Sequence, residues 1–231
     1  MFAKIILLSF CGGLFCLDRI FIQAMISRPV VIAPFIGFIL NNPYAGLIIG
    51  ALVELFWIDH IPVGTYIPPN DSITAVLAIA IAVLAGQNLG GTTPQIIALA
   101  ILLAVPFGMI AGRIDILIVK SNDVLSDLAM EDAKTGNIKG IEQKNYKGLI
   151  KVFLYTVSYL LVVQALLVPA VIWLYPKLSS PIVNTLSLLY YFLPVLGIAI
   201  AINTIKLRGA VPVFCAIFLI MAVGWEFFYA S

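Results

Sequence analysis

Long uncharged apolar segments constrain this chain more than any other feature. Residues 153–175 form a run of 23 residues without a charged side chain, and residues 72–112 form another run of 41. A helix needs about 20 apolar residues to cross a bilayer, because the hydrocarbon core is about 30 Å thick. Only 10% of all residues are charged, against roughly a quarter in soluble domains. We therefore predict an all-α integral membrane protein that crosses the bilayer several times.

The apolar segments of the N-terminal half are shorter and more often interrupted. Residues 30–40 are too few to span a bilayer, and residues 44–58 also fall short of a full crossing. The polar segment GQNLGGTTPQ, residues 86–95, divides the long run into two crossings. Non-helical backbone at membrane depth is tolerated only inside protein or beside an aqueous cavity. The pattern predicts a transporter with broken or re-entrant helices in its N-terminal half.

One clearly aqueous segment, residues 120–151, divides the chain into three parts. It holds six lysines and five acidic residues, and lysine-rich loops stay in the cytoplasm. We predict a broken-helix membrane region at 1–119, a cytoplasmic amphipathic loop at 120–151, and C-terminal transmembrane helices at 152–231. Apolar residues at helical spacing predict a surface helix that stops near Gly136, followed by a mobile connection. This segment is either a solvated loop or a docking surface for a soluble partner.

The segment ELFWIDHIPVGTYIPPNDSI, residues 54–73, places acids, an imidazole and an amide among apolar runs. Ionisable groups in membrane proteins are costly and tend to face cavities or one another, and the prolines keep this backbone out of a helix. Carboxylates, an amide and free backbone groups suit sugar hydroxyls, which both donate and accept hydrogen bonds. The candidate substrate-binding residues are Glu54, Asp59, His60, Gly64, Thr65, Pro69, Asn70 and Asp71. The alternative is a water-exposed loop whose acids are simply solvated.

The sequence offers no pattern for catalysis, metal binding or nucleic-acid binding. His60 has no second histidine or thiolate nearby, which argues against a metal site, although it could carry a proton near neutral pH. The chain contains no GxSxG, P-loop or CxxC motif, so we predict neither catalytic residues nor a cofactor. A net charge of +2 is too small for a nucleic-acid footprint.

The run RPVVIAPFIGFILNNPYAGLIIGALVELFWIDHIPVGTYIPPNDS, residues 28–72, resembles a known family. It is similar to the N-terminal half of the IIC membrane subunit of the mannose/fructose/sorbose-family sugar phosphotransferase system (PTS). The matching positions are Arg28–Pro29, 45–50, 53–55, 63–65 and 68–70. Where the family has an aspartate after the proline, this chain has Asn70, with Asp71 one position later. Either Asp71 replaces that aspartate or the site has lost a charge.

The resemblance implies a sugar-translocating subunit in the bacterial inner membrane, which is not phosphorylated and is not an enzyme by itself. Its implied partners are a homologous IID membrane subunit, cytoplasmic IIA and IIB phosphocarriers, a hexose or amino sugar, the lipid bilayer and further copies of this chain. Two alternatives stay open. One is a standalone proton-coupled transporter that uses Glu54, Asp59 and His60, and the other is a regulatory remnant that transports nothing.

Overall fold

The computed structural model describes residues 1–60, 66–204 and 210–229, and their regular secondary structure is entirely helical. The elements are α1 (Phe2–Leu17), α2 (Pro29–Ile39), α3 (Pro43–Phe56), α4 (Asp71–Leu89), α5 (Pro94–Lys134), α6 (Ile138–Leu174), a 3-10 turn (Tyr175–Lys177), α7 (Ser180–Thr204) and α8 (Ala210–Tyr229). Among the described residues, four segments are long and apolar enough to cross a membrane: Asp71–Leu89, Pro94–Lys134, Ile138–Lys177 and Ser180–Thr204. The predicted all-α, multi-span architecture is confirmed.

Helix α4 is the core of the protein. Its side chains from Ser72 to Gly86 are all buried, and α1, α2, α3, α5 and α6 all pack against it. A helix that is apolar on every face belongs in such a position, and its many alanines let neighbouring helices approach closely. The N-terminus of α4, which carries Asn70 and Asp71, is therefore held at a fixed place inside the bundle.

Helices α2 and α3 form a tight hairpin that is too short to cross a bilayer. They contain 11 and 14 residues, which is about 17 and 21 Å of helix. Glycines permit the close contact between them, since a Cβ at Gly50 would lie 2.5 Å from the Pro29 carbonyl oxygen and one at Gly46 would overlap the Ala33 carbonyl oxygen. These short helices confirm the predicted interruptions in the N-terminal half.

The break between α4 and α5 also falls where the sequence predicts it. Gly90 ends α4 with a φ of 91°, a left-handed conformation that favours glycine. Pro94 begins α5 at the first helical position, where its missing N–H costs nothing. Residues 90–93, inside the polar segment 86–95, therefore form the turn between the two helices.

Residues 120–151 are helical almost throughout, which corrects the mobile connection expected after Gly136. Helix α5 runs without interruption to Lys134, and α6 begins at Ile138. Asn137 starts α6 directly because its Oδ1 accepts a hydrogen bond of 3.1 Å from the Gly140 N–H. We call this helical hairpin, residues 120–151, the arm. Its cytoplasmic location and the three-part division of the chain remain predictions.

Candidate functional site

The turn that precedes α4 is held in place by Asn70. Its Oδ1 caps α4 by accepting from the Ile73 N–H at 3.0 Å, and its Nδ2 donates to Asp115 Oδ2 at 2.8 Å. Its backbone N–H donates to the Gly108 carbonyl oxygen at 3.0 Å. Asn70 is only 4% exposed. Both polar atoms of its side chain thus help to join the turn to α4 and α5.

Asp71, the next residue, faces a cavity and is paired with an arginine. Its Oδ1 lies 3.1 Å from a guanidinium nitrogen of Arg19 and accepts from the Ser72 N–H at 2.8 Å. A carboxylate in the first turn of a helix is also stabilised by the helix dipole. Asp71 therefore supplies a fixed negative charge at the N-terminus of the central helix.

A second ion pair joins the C-terminal end of α3 to the start of α2. Arg28 Nη1 lies 2.6 Å from Glu54 Oε1, and the two side chains are 47% and 19% exposed. The other carboxylate oxygen, Glu54 Oε2, is buried and has no hydrogen-bond partner within the described chain. This leaves one strong acceptor unused beside the ion pair.

Both arginines flank a loop that is organised by the buried carboxylate of Asp18. Its Oδ1 accepts from the Ala24 N–H at 2.8 Å, and its Oδ2 accepts from both the N–H and the Oγ of Ser27 at 3.2 Å. Burial raises the pKa of Asp18, but these hydrogen bonds outweigh that effect and hold the pKa below its ordinary value. The ionised carboxylate therefore fixes the segment that carries Arg19 and Arg28.

His60 and Asp59 form a further polar pair. The Nδ1 of His60 lies 2.6 Å from Asp59 Oδ1, so this nitrogen carries the proton and donates, because an ionised carboxylate can only accept. The His60 ring also lies near Tyr66, with ring centroids 6.4 Å apart. His60 therefore presents a hydrogen-bonded imidazole at the end of α3.

These groups surround a cavity of about 480 Å³. It is lined by Asp18, Arg19, Gln23, Met25, Ser27, Arg28, Trp57, Ile58, His60, Pro68, Pro69 and Asp71. The volume falls in the range of small-molecule sites, about 300–1,000 Å³. The lining combines fixed carboxylates and guanidiniums with an indole and two prolines, which suits a small polar ligand with an apolar face.

The structure separates the predicted site residues by position. His60, Pro69 and Asp71 line the cavity. Glu54 adjoins it through Arg28, and Asp59 adjoins it through His60. Asn70, at the end of the turn, is buried and does not line the cavity. Gly64 and Thr65 fall outside the described residues.

Four charged residues of this region are absent from the sequence-based candidates: Asp18, Arg19, Arg28 and Asp115. The signal for the first two was the abrupt charge after the apolar run of α1, and the signal for Asp115 was an acid inside the apolar segment RIDILIV. No described group of three or more His, Cys, Asp or Glu side chains is arranged to hold a metal ion.

Together, the helical membrane fold and the half-open cavity with its charged side chains are typical of a membrane transport protein. A family model described as "PTS system sorbose-specific IIC component" matches residues 2–225. Because this match covers nearly the whole chain, the protein belongs to that family. It is a multi-pass, sugar-translocating IIC subunit of a phosphotransferase system.

Individual relatives agree with this assignment. The chain is 27% identical to the fructose permease IIC component of Bacillus subtilis over 220 residues, which is 95% of this chain and 78% of the relative. It is 21% identical to the mannose-specific EIIC component of Escherichia coli over 189 residues, 81% of this chain and 68% of the relative.

Two solved structures share the fold. One, described as a membrane protein, has a TM-score of 0.73 at 18% identity and covers 95% of this chain and 86% of its own. The other is the mannose transporter ManYZ in complex with microcin E492, with a TM-score of 0.63 at 18% identity, covering 96% of this chain and 87% of its own.

Proposed function

We propose that the 480 Å³ cavity beside the N-terminus of α4 binds the transported sugar, a hexose or an amino sugar. The observation that carries this proposal is the charged lining, in which Asp71 is paired with Arg19 and Arg28 is paired with Glu54. Glu54 adjoins the cavity through Arg28, and its buried Oε2 has no hydrogen-bond partner within the described chain. A buried carboxylate oxygen without a partner is costly, and a sugar hydroxyl donating to it would remove that cost.

Sugar binding would then rest on a division of roles among the charged groups. Carboxylate oxygens of Glu54 and Asp71 accept from sugar hydroxyls, and the guanidinium groups of Arg19 and Arg28 donate to hydroxyl oxygens. These charge-assisted hydrogen bonds offset the free-energy cost of removing water from the sugar hydroxyls. Trp57 offers an apolar surface for a face of the sugar ring.

We further propose that the broken-helix region moves as a unit against α6 and α7 to expose the cavity to each side of the membrane in turn. The glycine contacts between α2 and α3 support this idea, because backbones packed so closely have little freedom to shift relative to each other. The result is an elevator-like movement of the site across the bilayer.

Membership of the family supports a proposal about partners. We propose that the chain works in the bacterial inner membrane with a homologous IID subunit, in an assembly that contains several copies of each. IIA and IIB deliver the phosphoryl group to the sugar, so this chain needs no phosphorylated residue of its own. The exposed, charged arm is the proposed contact for IIB. Photo-crosslinkers placed along the arm should capture IIB, and failure to capture it from any arm position would contradict this contact.

The test of the main proposal uses membrane vesicles that contain this chain and its IID partner. We expect uptake of a labelled hexose to require phosphoenolpyruvate and the soluble phosphocarriers, and to deliver sugar phosphate. Glu54→Gln and Asp71→Asn should each weaken sugar binding without unfolding the complex. Unchanged affinity in a folded double variant would rule this cavity out as the sugar site.

One observation favours a second candidate function. His60 lines the cavity and is hydrogen-bonded to Asp59 at 2.6 Å, and a histidine paired with a carboxylate can pass a proton near neutral pH. A proton-coupled carrier would accumulate free sugar in response to a proton gradient, without the phosphocarriers. Loss of that response in His60→Gln, with sugar binding retained, would support this alternative.

A further inference from the structure

One exposed face of α5 carries two cations among large apolar side chains. Its members recur every three or four residues, as positions on one helical face do. We call this face the α5 stripe, and its residues are Met109, Ile110, Arg113, Leu117, Lys120 and Val124. We propose that the α5 stripe binds an anionic phospholipid. The phosphate contacts Arg113 and Lys120, and the acyl chains lie along Met109 and Ile110.

The level of Arg113 in the bilayer is the first step. Arg113 comes 19 positions after Pro94, the first residue of α5, which is about 28 Å of helix. The hydrocarbon core of a bilayer is about 30 Å thick. Helix α4 also has 19 residues, and the turn before its N-terminus packs against Gly112. Arg113 therefore lies at the boundary between the hydrocarbon and the headgroups on the arm side, which is where lipid phosphates lie.

The second step is the charge of the stripe. Among the described residues, neither Arg113 nor Lys120 forms an ion pair. Lys120 lies two helical turns beyond Arg113, about 10 Å along the axis, and its long side chain can reach back to the headgroup layer. Guanidinium groups bind phosphate through paired, charge-assisted hydrogen bonds. The stripe thus presents two cations and no acid at the depth of the phosphates.

The third step is why a lipid fits better than an acidic side chain of a partner subunit. Met109 and Ile110 are 54% and 47% exposed, and they lie about one helical turn from Arg113 on the hydrocarbon side. A phospholipid supplies both the anion for Arg113 and the acyl chains that cover these side chains. An acidic side chain supplies only the anion.

The same part of α5 holds the turn at the cavity. Asp115 accepts a hydrogen bond of 2.8 Å from Asn70, and Gly112 packs against the backbone of the turn. Asp115 and Arg113 are about 200° apart around the helix, so they lie on opposite sides of it. A phosphate bound to Arg113 would therefore anchor this part of α5 at the membrane surface from the side away from the cavity.

The experiment measures local lipid preference with a tryptophan reporter on the stripe. Ile110→Trp in the purified complex is reconstituted with phosphatidylglycerol or phosphatidylcholine brominated on the acyl chains, and the quenching of the three native tryptophans is subtracted. One cation near the surface favours an anionic lipid by about fivefold, so phosphatidylglycerol should associate at least about fivefold more strongly. Val162→Trp is the matched reporter, on an exposed position of α6 in the uncharged segment 152–174, and should show no preference.

Variants in the Ile110→Trp background test the two cations. Arg113→Gln and Lys120→Gln should each weaken the preference for phosphatidylglycerol, and the double variant should abolish it. Arg113→Lys keeps the charge and should keep most of the preference. Lys134→Gln removes the same charge about 32 Å further along α5 and should change nothing. High salt should weaken the preference in the reporter chain, because it screens exposed charges.

Each outcome decides the question. Equal association of the two lipids at Ile110→Trp would refute the lipid site, and a preference that survives the double variant would refute the role of the cations. A reporter that neither lipid quenches would mean that a protein subunit covers the stripe, which also refutes the proposal. If the reporter unfolds the complex, melting temperature replaces it: phosphatidylglycerol should stabilise the wild-type complex more than phosphatidylcholine does, and an equal advantage in the double variant would contradict the site. None of these readouts depends on sugar uptake.

Discussion

Gly112 on α5 lies directly against the turn that presents Asp71 to the cavity. A Cβ added there would lie 2.9 Å from both the Pro68 carbonyl oxygen and Pro69 Cα. Carbon atoms pack best at about 3.5–4.0 Å, so the turn would have to retreat by roughly 0.5 Å. All of these neighbours are backbone atoms, so no side-chain rotation can relieve the overlap.

The magnitude for Gly112→Ala follows from two opposing terms. Overpacking in a filled interior costs about 1–3 kcal/mol, and alanine in a helix recovers about 0.5–1 kcal/mol relative to glycine. The net loss is therefore about 1 kcal/mol, within a range of about 0–2.5 kcal/mol, which lowers the melting temperature of a chain this size by a few degrees. Because the turn carries Asp71, sugar affinity should fall as well.

The assay is thermal unfolding of the purified complex in detergent, together with sugar affinity. Gly148→Ala is the matched control, because its Cβ would meet its nearest atoms at 3.7 and 3.9 Å, which is ordinary contact. That variant should be unchanged or slightly stabilised. If Gly112→Ala melts at or above the wild-type temperature, the turn is not packed against α5 as described.

Two further predictions concern buried polar groups. The folded-state pKa of Asp18 lies below its ordinary value of 3.8, so its ionised form stabilises the fold above that pH, and this contribution is lost as the pH falls through the folded pKa. Asp18→Asn should therefore lower the melting temperature at neutral pH. The difference in melting temperature from the wild type should disappear in strong acid, and a difference independent of pH would contradict this reasoning. Gln164 is 0% exposed, and both of its amide atoms lack a described partner. Gln164→Leu should raise stability by about 1–3 kcal/mol, whereas a lower melting temperature would mean that the amide is hydrogen-bonded in the membrane.

The sequence predicted helix positions well where local chemistry decides them. The break between α4 and α5 depends on Gly90 and Pro94. Glycine favours the end of a helix and proline favours its first turn, so both residue types indicate the break in the sequence. The connection after Gly136 was wrongly predicted as mobile, although a helix-start signal lies in its own sequence. Asn137 is a favourable N-cap, and it begins α6 at once, so a segment expected to end one helix also starts the next.

The cavity was harder to predict because its charges come from distant parts of the chain. The polar segment 54–73 pointed to the right region, and His60, Pro69 and Asp71 do line the cavity. Which of Asn70 and Asp71 faces it depends on a single helical step at the N-terminus of α4, and spacing does not encode that choice. Arg19 lies 52 positions before its partner Asp71, and only tertiary packing brings the two together.

Helix α5 runs without interruption from the membrane region beside the cavity to the tip of the arm. This helix has 41 residues, with Pro106 inside it, and the stretch from Pro106 to Lys134 is about 42 Å long. Proline removes one backbone hydrogen bond and makes that point easier to bend. A change of about 10° there would sweep the tip of the helix through about 7 Å. Gly112 packs against the turn at the cavity, and Asp115 accepts a hydrogen bond from Asn70. A displacement of this turn would therefore be transmitted along α5 to the tip of the arm.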